Sequence, residues 1–452
     1  MKEKKWYEST SFYHIYPLGF CGDEIGKTKH PLGKITRSLD YIAESGFKAI
    51  YLGPLFESIS HGYDTTDFFK VDSRLGNNDD LRDLIQKAHE RGIKVVLDGV
   101  FNHIGREFFA FRDLQQRREN SEYKDWFSLV NFNSNNHHND GFSYDTWEAH
   151  EELVKLNLKN PHVKKHIFDA IRFWIDDFGI DGLRLDAADC LDLDFLREMR
   201  TYTVQIKDDF WLMGEIIHGD YRKWAGEEIL HSVTNYECYK GMYSSFNDKN
   251  FFEIAHSLNR QYGPEGSYKD IQLYNFVDNH DVDRIRTKLI LPVNLYPLHI
   301  LLYSIPGIPS IYYGSEWARE GKRTDHSDIE LRPVFDRAKF KEESEFKDLY
   351  ELIKKMNEIK LNTQSLLYGD YTQIYVNHQQ LIFKRETETQ IAFIGINSSE
   401  DEFDYYLENE HSLYEHSLYE DILNGKKIEV ENNTLKMKLF PKWGSIIVAN
   451  KN

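Results

Sequence analysis

A chain of 452 residues with 40% hydrophobic and 14% aromatic side chains can bury a large core and build more than one domain, which excludes an intrinsically disordered protein. Its formal net charge of −18, with no long basic run, excludes nucleic acid and anionic membrane as partners and suits an uncharged ligand. Three scattered cysteines, Cys21, Cys190 and Cys238, form neither a CxxC nor a zinc pattern, and no apolar run has signal-peptide or membrane-spanning length, so reduced thiols and a cytoplasmic location are expected.

Residues 12–16 read as a strand, and Ile35, Leu39 and Ile42 then share one face of a helix that Gly46 can end. A strand at 49–52, a helix through Leu81, Leu84, Ile85 and Ala88 stopped near Gly92, and a strand at 94–98 continue a β-then-α rhythm that implies parallel strands. Residues 104–158 interrupt it with a polar, irregular stretch that still carries Trp126, Phe127, Tyr144 and Trp147, and this reads as a functional insertion. Asn160 then caps a helix with Pro161 at its first position and a buried stripe through Val163, Ile167, Ala170, Ile171 and Trp174, up to Gly179. Strands at 182–186, 211–215, 232–236, 274–278 and 309–313 bring the count to eight, which predicts a closed (β/α)8 TIM barrel with catalytic groups at the strands' carboxyl ends.

After a helix at 345–359 the pattern turns to strands in alternation, at 372–376, 381–385, 390–397, 427–430, 434–439 and 445–449, a separate antiparallel β domain. Within it residues 411–415 are repeated at once as 416–420, a duplicated surface segment with no chemistry in it. The expected domains are the first part of the barrel at 1–103, an inserted subdomain after strand three at 104–158, the second part of the barrel at 159–362 and a β-sandwich at 363–452.

Within 182–186, a period of two puts Arg184 and Asp186 on one face, so the guanidinium is expected to keep Asp186 ionised, as a nucleophile toward a sugar carbon must be. A structural Arg–Asp pair accounts for this strand equally well when it is taken alone. Strand ends also carry Asp98, Asn102 and His103, then Glu215, then Asn279, His280 and Asp281. On one rim, Asp186, Glu215 and Asp281 would not titrate alike, because neighbouring carboxylates push one another's pKa apart. That division suits glycoside cleavage: Asp186 attacks the anomeric carbon, a protonated Glu215 serves the leaving oxygen, and Asp281 steadies the developing positive charge. A separation of about 5 to 5.5 Å between nucleophile and acid would retain anomeric configuration.

Four short regions, Asp98-Gly-Val-Phe-Asn102-His103, Gly182-Leu-Arg184-Leu-Asp186, Gly214-Glu215 and Phe276-Val-Asp-Asn-His280-Asp281, resemble in order those of the α-amylase family, glycoside hydrolase family 13. The resemblance implies Asp186, Glu215 and Asp281 as nucleophile, acid/base and transition-state stabiliser, with Asp98, His103, Arg184 and His280 around the cleaved glucose and Tyr63 as its stacking platform. Asp64, beside Tyr63, is expected to be structural. The segments at 143–147, 153–157 and 214–218 are similar to those of neopullulanases, cyclomaltodextrinases and maltogenic amylases. Those relatives usually begin with an additional β domain, whereas here the first barrel strand is expected at residue 12.

The implied activity is hydrolysis of α-1,4 bonds in maltodextrins or cyclodextrins, with some α-1,6 cleavage. A 4-α-glucanotransferase using the same covalent intermediate, and a non-catalytic sugar-binding or scaffold relative, are the other readings. The chemistry demands no metal or other cofactor. Many relatives hold a structural calcium near the region-one asparagine, where Asn102 stands, and the calcium is left unassigned. An oligosaccharide is the expected partner, bound by a monomer or homodimer.

Overall fold

Eight short parallel strands organise the protein, whose computed structural model describes residues 5–324, 327–408 and 418–451. They are β1 (Phe12–Ile15), β2 (Ala49–Leu52), β3 (Lys94–Gly99), β4 (Gly182–Leu185), β5 (Trp211–Gly214), β6 (Ser232–Val233), β7 (Tyr274–Asn275) and β8 (Ile308–Tyr312). The sheet order is β6-β5-β4-β3-β2-β1-β8-β7, and a parallel bridge from Thr234 to Tyr274 joins its two ends, closing the barrel. Strand alternation then sorts the side chains. Phe12, Ala49, Val96, Trp211 and Ile308 fill the interior, while Tyr13, Ile50, Leu97, Leu183 and Ile311 face the helices. Gly182 belongs to the inward set, and a Cβ there would stand 2.6 Å from the Trp211 carbonyl oxygen. One step further along the strands the inward layer turns polar, with His14 opposite Tyr51 and Asp98 opposite Arg184.

The helices follow the periodicity. Gly33–Glu44 buries Ile35, Leu39 and Ile42, and Asn78–Glu90 starts at a capping box between Asn77 and Asp80. Asn160 accepts from the His162 N–H at the start of Pro161–Phe173, and the chain continues through a π turn, Trp174–Phe178, to Gly179 at φ +80°.

Several expectations are corrected. The sixth strand ends at Val233 because Asn235 caps a helix, Tyr236–Asn247, by accepting the Cys238 N–H. The seventh ends at Asn275, since Asp278 leaves the ladder to accept from the Ile285 N–H and the Ser315 hydroxyl. A hairpin, Phe56–Ser58 with Thr65–Val71, follows β2 and carries Tyr63 at its tip; its register shifts twice, so it shows no clean alternation in sequence. Trp174 anchors this hairpin, stacked on Phe56 at 4.1 Å and donating from Nε1 to the Phe68 carbonyl at 2.7 Å.

Residues 104–158 are more regular than they read. A three-stranded antiparallel sheet, His103–Gly105, His150–Lys155 and Thr146–Trp147, packs with the helix Phe109–Arg117. Its first strand crosses the boundary expected between 103 and 104. At the other end of the chain a six-stranded sheet faces a three-stranded one, with Ile382, Phe393, Leu435, Met437 and Ile447 between them. Phe403–Glu408 and Tyr419–Asp421 are strands that sequence reading had not marked. The duplicated segment lies, over 411–417, outside the described residues. No helix among the described residues is long and apolar enough to cross a membrane.

Candidate active site

The polar inward layer gathers around one guanidinium. Arg184, 3% exposed, reaches Asp98 at 2.9 and 3.1 Å and Asp186 at 2.9 Å through Nη1, and Glu215 at 2.7 Å through Nη2. One strand, β4, lies between those that carry Asp98 and Glu215, and its Arg184 side chain spans both because β3, β4 and β5 are neighbours in register. Arg184 therefore serves three carboxylates, where a single pair with Asp186 had been expected.

Asp98 is 2% exposed, and its oxygens are taken up by Arg184 and by the hydroxyls of Tyr51, at 2.7 Å, and Tyr63, at 3.2 Å. Its place is beneath the site, holding Arg184 and Tyr63. The Tyr63 hydroxyl also meets His280 Nε2, and the two rings lie nearly parallel with centroids 5.7 Å apart. His280 Nε2 stands 2.9 Å from Asp281 Oδ2, and Arg332 holds the other oxygen at 3.0 Å. Asp186, Glu215 and Asp281 thus belong to one continuous polar network through Arg184, Asp98, Tyr63 and His280.

Electrostatics follow from this crowding. Burial pushes the Asp186 carboxyl above its usual range against the pull of Arg184, and Glu215, Asp98 and Asp281 add repulsion. The expectation that Arg184 by itself keeps Asp186 ionised is corrected accordingly. Glu215 is also raised by burial, opposed by Arg184 and reinforced by Asp281. Both carboxyls are thus biased toward the protonated form, and one guanidinium joins them. For Asp281 burial works upward too, but His280, Arg332 and Arg184 outweigh it and hold the carboxyl below its ordinary range. Burial lowers the His103 imidazole to about 4, so it is neutral near pH 7.

Two buried ring nitrogens, His103 Nε2 and His280 Nδ1, have no hydrogen-bond partner among the described residues, a costly state unless something else supplies one. A cleft of about 1170 Å³ opens from Asp281 past Tyr16, His61, Arg74, Asp328 and Arg332; the side chains of Asp186 and Glu215, 11% and 12% exposed, are not part of its lining. Tyr51, Tyr16, Tyr236 and Arg332 were not foreseen. Tyr51 was reachable from alternation along β2, whereas Arg332 sits in an irregular segment that carries no pattern.

A structural calcium near Asn102, left unassigned from the sequence, can be set against the donors present. The Asn102 amide nitrogen faces His103 Nδ1 at 3.2 Å, and Asp140, in the inserted segment, is occupied by Arg106, Gln115 and Asn136 at 2.9, 3.2 and 2.7 Å. No group of three or more His, Cys, Asp or Glu placed to hold a metal occurs among the described residues. These donors do not form an oxygen cage for calcium, and no step below passes through one.

Residues 14–365 match the family model described as the α-amylase catalytic domain. The chain belongs to the α-amylase family of glycoside hydrolases. It is 30% identical over 472 residues to a cyclomaltodextrinase of Thermoanaerobacter pseudethanolicus, covering 99% of this chain and 77% of that protein. It is 32% identical over 471 residues to neopullulanase 2 of Thermoactinomyces vulgaris, covering 98% and 78%. A solved cyclomaltodextrinase structure superposes with a TM-score of 0.85 at 25% identity, over 99% of this chain and 78% of that one. This α-amylase family member therefore carries its polar network at the barrel end where TIM-barrel enzymes keep their active sites.

Proposed function

We propose that this family member is a retaining hydrolase of α-1,4-linked glucans, acting on maltodextrins or cyclodextrins and cleaving some α-1,6 bonds, through a covalent glycosyl-Asp186 intermediate. The observation that carries the reading is the Arg184 guanidinium joining Asp186 to Glu215, because a nucleophile and an acid that share one cation open onto the same small space. The relatives named cyclomaltodextrinase and neopullulanase support the substrate class.

In the first step a sugar ring lies against Tyr63, and His103 Nε2 and His280 Nδ1 take up the hydrogen bonds they lack in the free protein. This chemistry requires Glu215 to be protonated and Asp186 charged once substrate is bound. Glu215 passes its proton to the glycosidic oxygen while Asp186 bonds to the anomeric carbon. Asp281, charged and fixed by Arg332 and His280, stabilises the oxocarbenium-like transition state. Glu215, now ionised, takes a proton from water as the water oxygen bonds to the anomeric carbon and the Asp186–carbon bond breaks, its electron pair returning to the Asp186 carboxylate. No cofactor enters this chemistry. Three free cysteines support a reducing, cytoplasmic setting.

The test is chromatography of the products from maltoheptaose, β-cyclodextrin, pullulan and starch, run beside Asp186→Asn. The reading expects shorter oligosaccharides from the first two and, in the variant, a loss of at least about 10⁴-fold. Products longer than the starting oligosaccharide would move the assignment to glucan transfer, and no turnover of any α-glucan would overturn it.

A further inference from the structure

Ala187, the residue after Asp186, stands at φ +43° and ψ +47°, in the left-handed region that is unfavourable for any residue with a Cβ. The conformation turns its N–H onto Glu215 Oε2 at 3.2 Å, and Arg184 Nη2 holds the same oxygen at 2.7 Å. Glu215 Oε1 meets neither cation nor amide among the described residues; the Tyr236 hydroxyl stands 3.4 Å from it, and a hydroxyl can accept as well as donate. The surroundings fix this arrangement. Ala188 N–H donates to the Glu215 carbonyl, and Glu215 N–H donates to Leu185. A Cβ on Gly214 would come within 2.9 Å of Ala188 Cβ, so the strand end bearing the acid and the turn following the nucleophile are in close contact.

We propose that Ala187 is a positioning residue for the acid/base: with Arg184 it saturates Glu215 Oε2, so that the working proton sits on Oε1 and leaves from there. This inference rests on the hydrolase reading above. In the bond-breaking step the Oε1–H bond breaks and the proton joins the glycosidic oxygen. That oxygen keeps the electron pair of its bond to the anomeric carbon, and an Asp186 oxygen supplies the pair for the new one. In the second step Oε1 accepts a proton from the attacking water.

Ala187→Gly tests it, because glycine tolerates φ +43° without being confined there, so the amide is released without a clash. The measurement is kcat/KM, which reports the bond-breaking step, on maltoheptaose and on α-maltosyl fluoride, whose leaving group departs without a proton. The proposal expects a melting temperature no lower than that of the unmodified protein and a loss of roughly 10- to 100-fold on maltoheptaose, with the fluoride changed by less than about twofold. Losing a bond that favours the charged carboxylate should also move the basic limb of the maltoheptaose pH profile upward. Equal losses on the two substrates, no loss on either, or an unmoved basic limb would overturn the proposal. If the unmodified protein turned over neither substrate, the hydrolase reading would fall and this inference with it.

Discussion

His103 shows how a single residue's burial sets its chemistry. With its imidazole lowered to about 4, the ring is neutral from pH 5 upward, and Nε2 is buried without a partner among the described residues. A sugar hydroxyl would make that bond. His103→Ala should therefore lower kcat/KM for maltoheptaose by roughly 10- to 100-fold, about 1.5 to 3 kcal/mol, and leave the pH profile between 5 and 8 in place. A shifted profile would mean that the ring titrates during turnover. Asp181 is the opposite case, a fully buried carboxylate at the start of β4 that accepts from His89 at 2.7 Å, Lys94 at 3.0 Å, Lys207 at 2.8 Å and the Val95 N–H at 2.9 Å. Although burial raises it, these donors win and hold its pKa well below the usual range. A depressed folded-state pKa gives stability that is complete above about pH 4 and is lost as pH falls further. Asp181→Asn should cost about 3 kcal/mol at pH 7 by urea denaturation and flatten the decline of stability between pH 5 and 2.

Among the elements, the hairpin after β2 links packing to catalysis. Trp174 is fully buried between that hairpin and the barrel, stacked on Phe56 and within 5.8 Å of Phe101. Trp174→Ala should destabilise the protein by about 3 to 5 kcal/mol. Because Tyr63 rides on the same hairpin, KM for maltoheptaose should rise, as steady-state kinetics on the folded fraction would show. This hairpin is also where sequence reading fell short. The β-then-α rhythm and the helix stripes were legible because burial repeats with a fixed period, Arg184 and Asp186 because alternation carries them to one face, and Glu215 because it follows directly on the end of a strand. The hairpin has two register shifts, and β6 and β7 are each two residues long, so no period survives in them. Pairings that depend on distant elements, such as Arg332 on Asp281 or Glu215 on Ala187, leave no local signature.

At the scale of the whole molecule, two buried cations stand where the barrel meets the terminal domain, and among the described residues neither has a carboxylate in its hydrogen bonds. Lys360 donates to the carbonyls of Ile305 at 3.2 Å and Leu366 at 2.8 Å, and Arg385 donates to Gly369 at 2.8 Å and Ser304 at 3.0 Å. Burial, with repulsion from Arg385, pulls the Lys360 amine well below its usual value. The unfolded chain then binds a proton that the folded one holds less tightly, so this residue makes stability rise with pH toward the ordinary lysine range. Calorimetric melting temperatures between pH 7 and 10 should climb less steeply in Lys360→Met than in the unmodified protein. The joint also has a consequence for biosynthesis. Its acceptor at Ser304 is synthesised 81 residues before the Arg385 that completes it, so a nascent barrel carries an unfinished face until the terminal sheet arrives. A chain halted in that interval would leave that face open to chaperones.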